Sequence, residues 1–356
     1  MKEKVRIGLT GYGKVANLHA EALTAATGGE LVSVCGRNAE RRNAFAAKWK
    51  IASRGSPEEM VLKDNVDAVI ITTPHPRHRD DALEALAAGA HVLVEKPMAV
   101  TVSECDEMIG AAKKAGKLLS VVCQRRWFPA CARIKKAIDE GKLGKPVLAQ
   151  LTILGWRDKP YYDSDPWRGK WATEGGGILI NQAPHQIDLL QWYMGPFKEI
   201  YGFWDNFNHP YIEVEDSAVA AIRFASGGLG SVLVSNSQKP GIYAKVHVHG
   251  SSAWSAGVQT DGGAMFIAGM SSITEPPLND LWTIEGEKDL LDIFRAEDEA
   301  FFKTINPTVY FFTCQLEDFC VSVREGRPLS STGEEGRETV RFIETVLKTG
   351  KPGNSV

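Results

Sequence analysis

Three short segments carry residue types that suit redox chemistry. The first, Gly11-Tyr12-Gly13-Lys14-Val15-Ala16, fits G-x-G-x-x-A after an apolar run. Gly11 permits a tight turn, Gly13 lets backbone approach a pyrophosphate, and Ala16 allows close helix–strand packing. The helix that follows offers its N–H groups to phosphate. The second is Glu95-Lys96-Pro97. An ammonium beside a reacting oxygen stabilises developing alkoxide character, and Pro97 favours an extended backbone at Lys96. The third runs from Gly175 to Leu190 and holds His185 and Asp188. Histidine titrates near neutrality, so it can take a hydroxyl proton without much tuning. A dinucleotide turn, a lysine and a histidine together suit hydride exchange between an alcohol carbon and nicotinamide, provided folding brings Lys96 and His185 to one carbon.

The first third of the chain alternates the elements that would position such groups. Short apolar strands are predicted at Val5–Thr10, Glu30–Cys35, Ala68–Thr72, His91–Val94 and Leu118–Cys123, separated by amphipathic helices. That alternation means a parallel sheet covered on both faces, a doubly wound Rossmann arrangement over 1–124. Beyond Gln124 long alternating runs take over, at 147–155, 200–204, 217–224, 230–235 and 243–250. They read as antiparallel strands with one face on a core. A helix is predicted near 183–193, and more helix after 312. Residues 125–356 are therefore assigned to a second, substrate-binding domain, and a cleft between domains is the default ligand site.

Length and composition agree with a two-domain globular protein. The 356 residues are 44% hydrophobic and 24% charged, with a formal net charge of −3. This balance argues against a broad nucleic-acid-binding surface. No apolar run approaches the roughly 20 residues that span a bilayer, and the N-terminus enters a strand at once, leaving no room for a signal peptide. A cytoplasmic location is the expectation. None of the six cysteines forms a C-x-x-C pair, so reduced buried thiols are expected.

At the end of the second strand the sequence is Cys35-Gly36-Arg37-Asn38, without the acid that would bind an adenosine ribose. Arg37, helped by Arg41 or Arg42, could hold a 2′-phosphate. Equally, Arg37 could stack on adenine with NAD bound. The cofactor is expected to be NAD or NADP, the choice left open.

The order of these motifs resembles the glucose–fructose oxidoreductase / inositol dehydrogenase / rhizopine-catabolism (Gfo/Idh/MocA) family over nearly the whole chain. The likeness includes His19 after the glycine turn, Thr72-Thr73-Pro74 with His78, Glu95-Lys96-Pro97, the Gln124–Arg126 segment, Trp167-Arg168 ahead of Gly175-Gly176-Gly177, and Glu325-Gly326-Arg327-Pro328. It implies a Rossmann domain followed by an α+β domain on a large, mostly antiparallel open sheet. The outer face of that sheet usually makes the oligomer interface, so a homodimer or homotetramer is expected. It implies reversible oxidation of a secondary ring hydroxyl of a sugar, glycoside or cyclitol, C3 of a glucoside being one version. Lys96 and His185 would be catalytic. Gly11, Tyr12, Gly13, Lys14, Val15, Arg37, Thr73, Pro74, His78, Glu95, Lys96, Gln124, Trp167 and Arg168 would line the cofactor. One departure stands out. Inositol-dehydrogenase-like members carry an aspartate four residues before the histidine, and here Asn181 stands there, so no carboxylate–histidine relay is carried over. Asn181 is read as a substrate contact and Gln182 as a neighbour of the nicotinamide. Asp188 either orients His185 or serves as a structural carboxylate.

The segment Trp156–Trp171 mixes aromatic and charged residues. Trp156, Tyr161 and Tyr162 could stack on a pyranose or brace the fold. Arg126, Arg157 and Arg168 could hold an anionic substrate group. His75 with His78, and His247 with His249, lack a matching acid or thiol nearby in sequence, so no metal is expected. Residues 257–283 read as a long loop or an arm over a neighbouring subunit. Two other functions fit the motifs. One is a glycosidase that retains its cofactor and works through transient oxidation and elimination. The other is a non-catalytic nucleotide sensor, against which the presence of both Lys96 and His185 argues.

Overall fold

The structure, a computed structural model, describes residues 4–262 and 273–350. The chain forms two compact units: Met1–Gln124 with Thr308–Val340, and Arg125–Pro307 with Arg341–Val356. Assigning everything after residue 124 to one domain is therefore corrected. Val309, Phe312, Leu316, Phe319 and Cys320 join the core of the first unit, which keeps Thr308–Val340 with it.

The first unit is built on a six-stranded, all-parallel sheet: β1 (Val5–Thr10), β2 (Gly29–Cys35), β3 (Ala52–Arg54), β4 (Ala68–Ile71), β5 (His91–Val94) and β6 (Leu119–Val121). Their order is β3-β2-β1-β4-β5-β6, so the order in which strands are added reverses between β1 and β4. Side chains alternate between two cores. Ile7, Leu9 and Ile70 face one, and Val69, Ile71 and Val92 face the other. The helices α1 (Lys14–Ala25), α2 (Ala39–Trp49), α3 (Pro57–Asp64), α4 (His78–Ala87) and α5 (Val102–Ala115) connect the strands. Sequence pattern alone missed β3 and α3, because a three-residue Ala-Ser-Arg strand carries no periodicity. Side chains cap α2, α3 and α5, through Asn38, Ser56 and the Thr101–Glu104 capping box. Helix α1 begins at Gly13 with no side-chain cap.

The second unit opens with α6 (Pro129–Asp139) and contains a seven-stranded sheet: β7 (Pro146–Leu154), β8 (Phe197–Asp205), β9 (Ser217–Phe224), β10 (Leu229–Ser235), β11 (Tyr243–Gly250), β12 (Ser255–Gly262) and β13 (Leu278–Trp282). The order is β13-β12-β11-β7-β10-β9-β8, antiparallel except for the β7–β10 pair. Much of the stretch read as a loop or arm is thus strand, while 263–272 lie outside the described residues. Four short helices lie between β7 and β8: α7 (Lys159–Asp163), α8 (Trp171–Glu174), α9 (Ile178–Asn181) and α10 (Pro184–Met194). Helix α10 packs on β7 and β11. Three helices follow β13: α11 (Leu290–Phe302), α12 (Pro307–Glu325) and α13 (Gly333–Thr349). The inward face of the sheet is apolar, with Ala220, Ile222, Val232, Val234 and Leu151. The outward face is also apolar, with Tyr201, Phe203, Val219, Leu229 and Leu233 each between 42% and 53% exposed.

Candidate functional site

The turn after β1 is shaped for close backbone approach. Gly11 has φ +103°, and a Cβ there would lie 2.7 Å from the Thr72 hydroxyl. At Gly13 an added Cβ would meet nothing within 4 Å, which leaves open space against the uncapped N-terminus of α1. Gln124, 8% exposed, buries an Oε1 that has no hydrogen-bond partner. Uncapped N–H groups, a cradle a side chain would fill, and an orphaned carbonyl fit a bound dinucleotide. Tyr12 lies across the end of β2. Its hydroxyl accepts from the Asn38 N–H at 3.0 Å, and a Cβ at Gly36 would sit 2.4 Å from its ring.

The arginines after β2 divide the work. Arg42 donates to Ser53 at 2.8 Å and to the Gly36 carbonyl at 2.8 Å, so it braces the turn rather than helping Arg37. Arg41 sits over the Tyr12 ring at 5.5 Å. Arg37 is exposed. His78 is corrected from cofactor ligand to brace. It is fully buried, with Nδ1 2.9 Å from the Pro97 carbonyl and Nε2 2.8 Å from the Thr73 carbonyl, and burial pushes its imidazole below the ordinary histidine range. The Thr73 hydroxyl donates to Asp81 at 2.7 Å, and Pro74 is exposed beside it.

Lys96 follows β5 and is half-exposed, whereas every other residue from 92 to 99 is buried. Its N–H donates to Glu95 Oε2 at 3.2 Å, while Glu95 Oε1 accepts from His19 Nε2 at 2.8 Å. Burial pushes the Glu95 carboxyl up, but the His19 hydrogen bond and the Lys96 charge and N–H bring it below the ordinary carboxylate range. Glu95 is therefore a buried anion held beside the lysine rather than a surface that touches cofactor. The His19 link was invisible in sequence, where the two residues stand 76 positions apart.

In the second unit the glycine run is explained residue by residue. Gly175 caps α8 with φ +88°. A Cβ at Gly177 would lie 1.8 Å from the Glu215 carbonyl oxygen, so only glycine fits. The Glu215 carboxyl, wholly buried, accepts from the N–H groups of Gly177 at 2.8 Å and Leu179 at 3.0 Å. Burial dominates over those bonds and, with Glu174 adding like charge, pushes its pKa up to about 7. The turn delivers Asn181, Gln182 and His185. These three are half-exposed, and every other residue from 178 to 191 is buried. Asn181 donates to Glu174. Gln182 donates to the Tyr161 hydroxyl at 2.9 Å and accepts from Asn236 at 3.1 Å.

Three open readings narrow here. Asp188 spends both oxygens on Arg126, at 2.9 and 2.6 Å, and both residues are at most 4% exposed. Asp188 is thus a structural carboxylate, and Arg126 anchors α10 rather than holding a substrate anion. Tyr162 is also a brace, 7% exposed and edge-on to His209 and Tyr211. His209 is itself buried, with Nδ1 2.8 Å from Asp216 and Nε2 2.7 Å from the Arg157 carbonyl, and Trp156 packs over it at 5.1 Å. Tyr161 remains half-exposed and accepts from Arg168 at 2.6 Å. Arg168 lies between the rings of Tyr161 and Trp167, 4.3 and 4.4 Å from their centroids. Pattern reading missed Glu174, His209, Glu215 and Asp216. The only sequence cue was polar residues flanking the glycine run and preceding β9.

The remaining polar clusters are occupied locally. His247 faces both oxygens of Asp280 at 3.0 Å, and His249 faces the Ser255 hydroxyl at 2.7 Å. Among the described residues no group of three or more His, Cys, Asp or Glu is arranged to hold a metal ion. Burial pushes the thiols of Cys35, Cys131 and Cys320 up to about 12, which makes them poor nucleophiles. Among the described residues no helix is long and apolar enough to cross a membrane.

An uncapped glycine turn between β1 and α1 of an all-parallel, doubly wound sheet is the arrangement of a dinucleotide-binding fold. Residues 5–123 match the oxidoreductase family with an NAD-binding Rossmann fold, and residues 131–256 match the GFO/IDH/MocA C-terminal domain. The chain belongs to the Gfo/Idh/MocA family. It is 34% identical over 224 residues to 1,5-anhydro-D-fructose reductase of Ensifer adhaerens, covering 62% of this chain and 66% of that protein. It is 29% identical over 251 residues to D-glucoside 3-dehydrogenase of Escherichia coli, covering 63% and 68%. The chain spans less than two thirds of several curated relatives, down to 53% of one. Among solved structures, the WlbA dehydrogenase of Bordetella pertussis in complex with NADH and UDP-GlcNAcA superposes with a TM-score of 0.82. The two are 27% identical, over 99% of this chain and 98% of that one.

Proposed function

We propose that this protein is an NAD(P)-dependent dehydrogenase that reversibly oxidises a secondary ring hydroxyl of a sugar, glycoside or cyclitol. The observation that carries the reading is a shared exposure pattern. In each unit the residues able to do the chemistry are the half-exposed ones within a buried stretch: Lys96 in 92–99, and Asn181, Gln182 and His185 in 178–191. A lysine, a histidine and two amides that stay accessible inside otherwise buried stretches are placed where a ligand can reach them, and these residue types suit alcohol oxidation.

The roles follow from chemistry. The dinucleotide, when bound, supplies the carbon that exchanges hydride with the carbinol. The N-terminus of α1, Gly13 and Gln124 would hold it. His185 takes the hydroxyl proton and returns it in the reverse direction. The Lys96 ammonium, kept beside a buried Glu95 carboxylate, stabilises negative charge on the reacting oxygen. Asn181 and Tyr161 supply hydrogen bonds to the ring hydroxyls. C3 of a glucoside is the version tested first, since a D-glucoside 3-dehydrogenase is among the relatives.

We also propose that copies of the chain associate through the outer face of the seven-stranded sheet, where Tyr201, Phe203, Val219, Leu229 and Leu233 form an apolar surface. The protein is proposed to act in the cytoplasm. The deciding experiment follows nicotinamide absorbance while glucosides and inositols are supplied with NAD+ or NADP+. Reduction of the nucleotide with a ring polyol supports the reading. Product formation without net change in nucleotide would transfer the protein to the cofactor-retaining glycosidases.

A further inference from the structure

The turn that presents Asn181 and His185 is backed by a carboxylate that the scheme above leaves unused. Glu174 ends α8 and is 1% exposed. One of its oxygens accepts from Asn181 Nδ2, and the other accepts from the Gly169 N–H at 2.5 Å. Burying a carboxylate is costly unless hydrogen bonds satisfy its charge, and here both oxygens meet N–H donors. Glu215 from the β9 approach and Tyr161 and Tyr162 from α7 all lie within reach of its field. The carboxyl is thus enclosed in the fold rather than offered to solvent.

With both oxygens accepting N–H groups, the Glu174 carboxyl presents acceptors only, so it decides which end of the asparagine faces it. The amide nitrogen of Asn181 donates to Glu174, which leaves the carbonyl oxygen on the other branch of the planar amide. Asn181 itself is half-exposed, in the same row as Gln182 and His185. We propose that Glu174 is a positioning residue that locks Asn181 with its carbonyl oxygen toward the substrate. Position 181 then reads a substrate hydroxyl by accepting its hydrogen bond, and discriminates against a ring substituent that can only accept. This inference rests on the dehydrogenase reading for the identity of the ligand, a ring polyol, but the lock itself is a property of the second unit.

The test is a polarity swap. Glu174→Gln, Asn181→Asp and the double variant are titrated with methyl β-D-glucopyranoside and myo-inositol in the presence of NAD+ or NADP+. Calorimetry gives affinity, and KM and kcat are measured for any probe that turns over. Glu174→Gln sets an amide against an amide and lets Asn181 rotate, so affinity falls about tenfold while kcat changes less. Asn181→Asp sets two carboxylates against each other and also weakens binding. In the double variant the donor stands at 174 and an obligate acceptor at 181, so affinity returns to within about threefold of wild type. If Glu174→Gln does not fold, the comparison of Asn181→Asp with the double variant carries the same test. Unchanged affinity in Glu174→Gln, or a double variant that melts like wild type yet binds no better than the single variants, overturns the proposal. A wild-type chain that binds a probe without oxidising it refutes the dehydrogenase reading instead, and the binding cycle still reports on Glu174.

Discussion

Replacing Glu215 by glutamine is predicted to change how stability depends on pH. The wild-type carboxyl is wholly buried and its pKa is pushed up to about 7 from an ordinary value of 4.5, burial outweighing the bonds from Gly177 and Leu179. In the unfolded chain the same group releases its proton near the ordinary value. Between the two values the folded state binds more proton than the unfolded state. The contribution of the protonated form is therefore full below about pH 4.5 and lost as the pH rises through about 7. A difference of roughly 2.5 units corresponds to about 3 kcal/mol. Glutamine does not titrate. It does lose one of the two N–H bonds, because its amide nitrogen cannot accept, at a pH-independent cost of about 1 kcal/mol. The stability of the variant relative to wild type should then rise by roughly 2–3 kcal/mol between pH 5 and pH 8. In thermal melts followed by tryptophan fluorescence this appears as a relative gain of several degrees, since each kcal/mol moves the midpoint by about 2–4 °C in a unit of this size. Parallel curves for the two proteins across that pH range would refute the assignment of a raised pKa to Glu215.

Four further outcomes are expected. His185→Ala should lower kcat by about two orders of magnitude or more while nucleotide binding, read by nicotinamide fluorescence, persists; near-normal turnover removes His185 from the reaction. Arg37→Ala should weaken NADPH binding about tenfold more than NADH binding, because only the former carries a phosphate for an exposed guanidinium; equal losses would assign Arg37 to adenine stacking. Phe203→Lys, on the outer sheet face, should shift sedimentation toward smaller species without lowering the melting point of the unit; an unchanged profile removes that face from assembly. Gly177→Ala should destabilise the second unit by about 2 kcal/mol or more, since its Cβ meets backbone that cannot move aside; a stable variant would show that the turn relaxes.

The legibility of this chain depended on how far apart cooperating residues lie. The glycine turn was readable because its geometry is local. Gly11 needs a positive φ, Gly13 needs empty space, and both sit between a strand and a helix that periodicity reveals. The alternating runs around Ser217–Phe224 and Tyr243–Gly250 were readable for the same reason, since one face of each strand is buried throughout. β3, β12 and β13 were missed: β3 is only three residues long, and β12, buried on both faces and so without alternation, falls with β13 in the stretch read as a loop or arm. The site residues divide along the same line. Lys96 and His185 stand inside motifs, whereas Glu95 depends on His19 across 76 positions, and Arg126 claims Asp188 across 62. No local pattern could say that Arg126 was already taken. Nor could it say that His78 was closed between two carbonyls.

The long-range pairs share a consequence for how the site is held. In each unit an accessible residue bonds a buried carboxylate beside it: the Lys96 backbone N–H donates to Glu95, and the Asn181 side chain donates to Glu174. A buried anion is destabilising unless it is satisfied, and here each oxygen has a donor: His19 and the Lys96 N–H for Glu95, and Asn181 and the Gly169 N–H for Glu174. Such a carboxylate has only one arrangement that avoids an unpaired charge, so it transmits the rigidity of the core to the group in front of it. Removing the carboxylate should therefore loosen the working residue more than it unfolds the chain. That separates Glu95 and Glu174, which bond the residues proposed to meet substrate, from Glu215, whose carboxyl accepts from the backbone N–H groups of Gly177 and Leu179 and whose loss should register in stability alone.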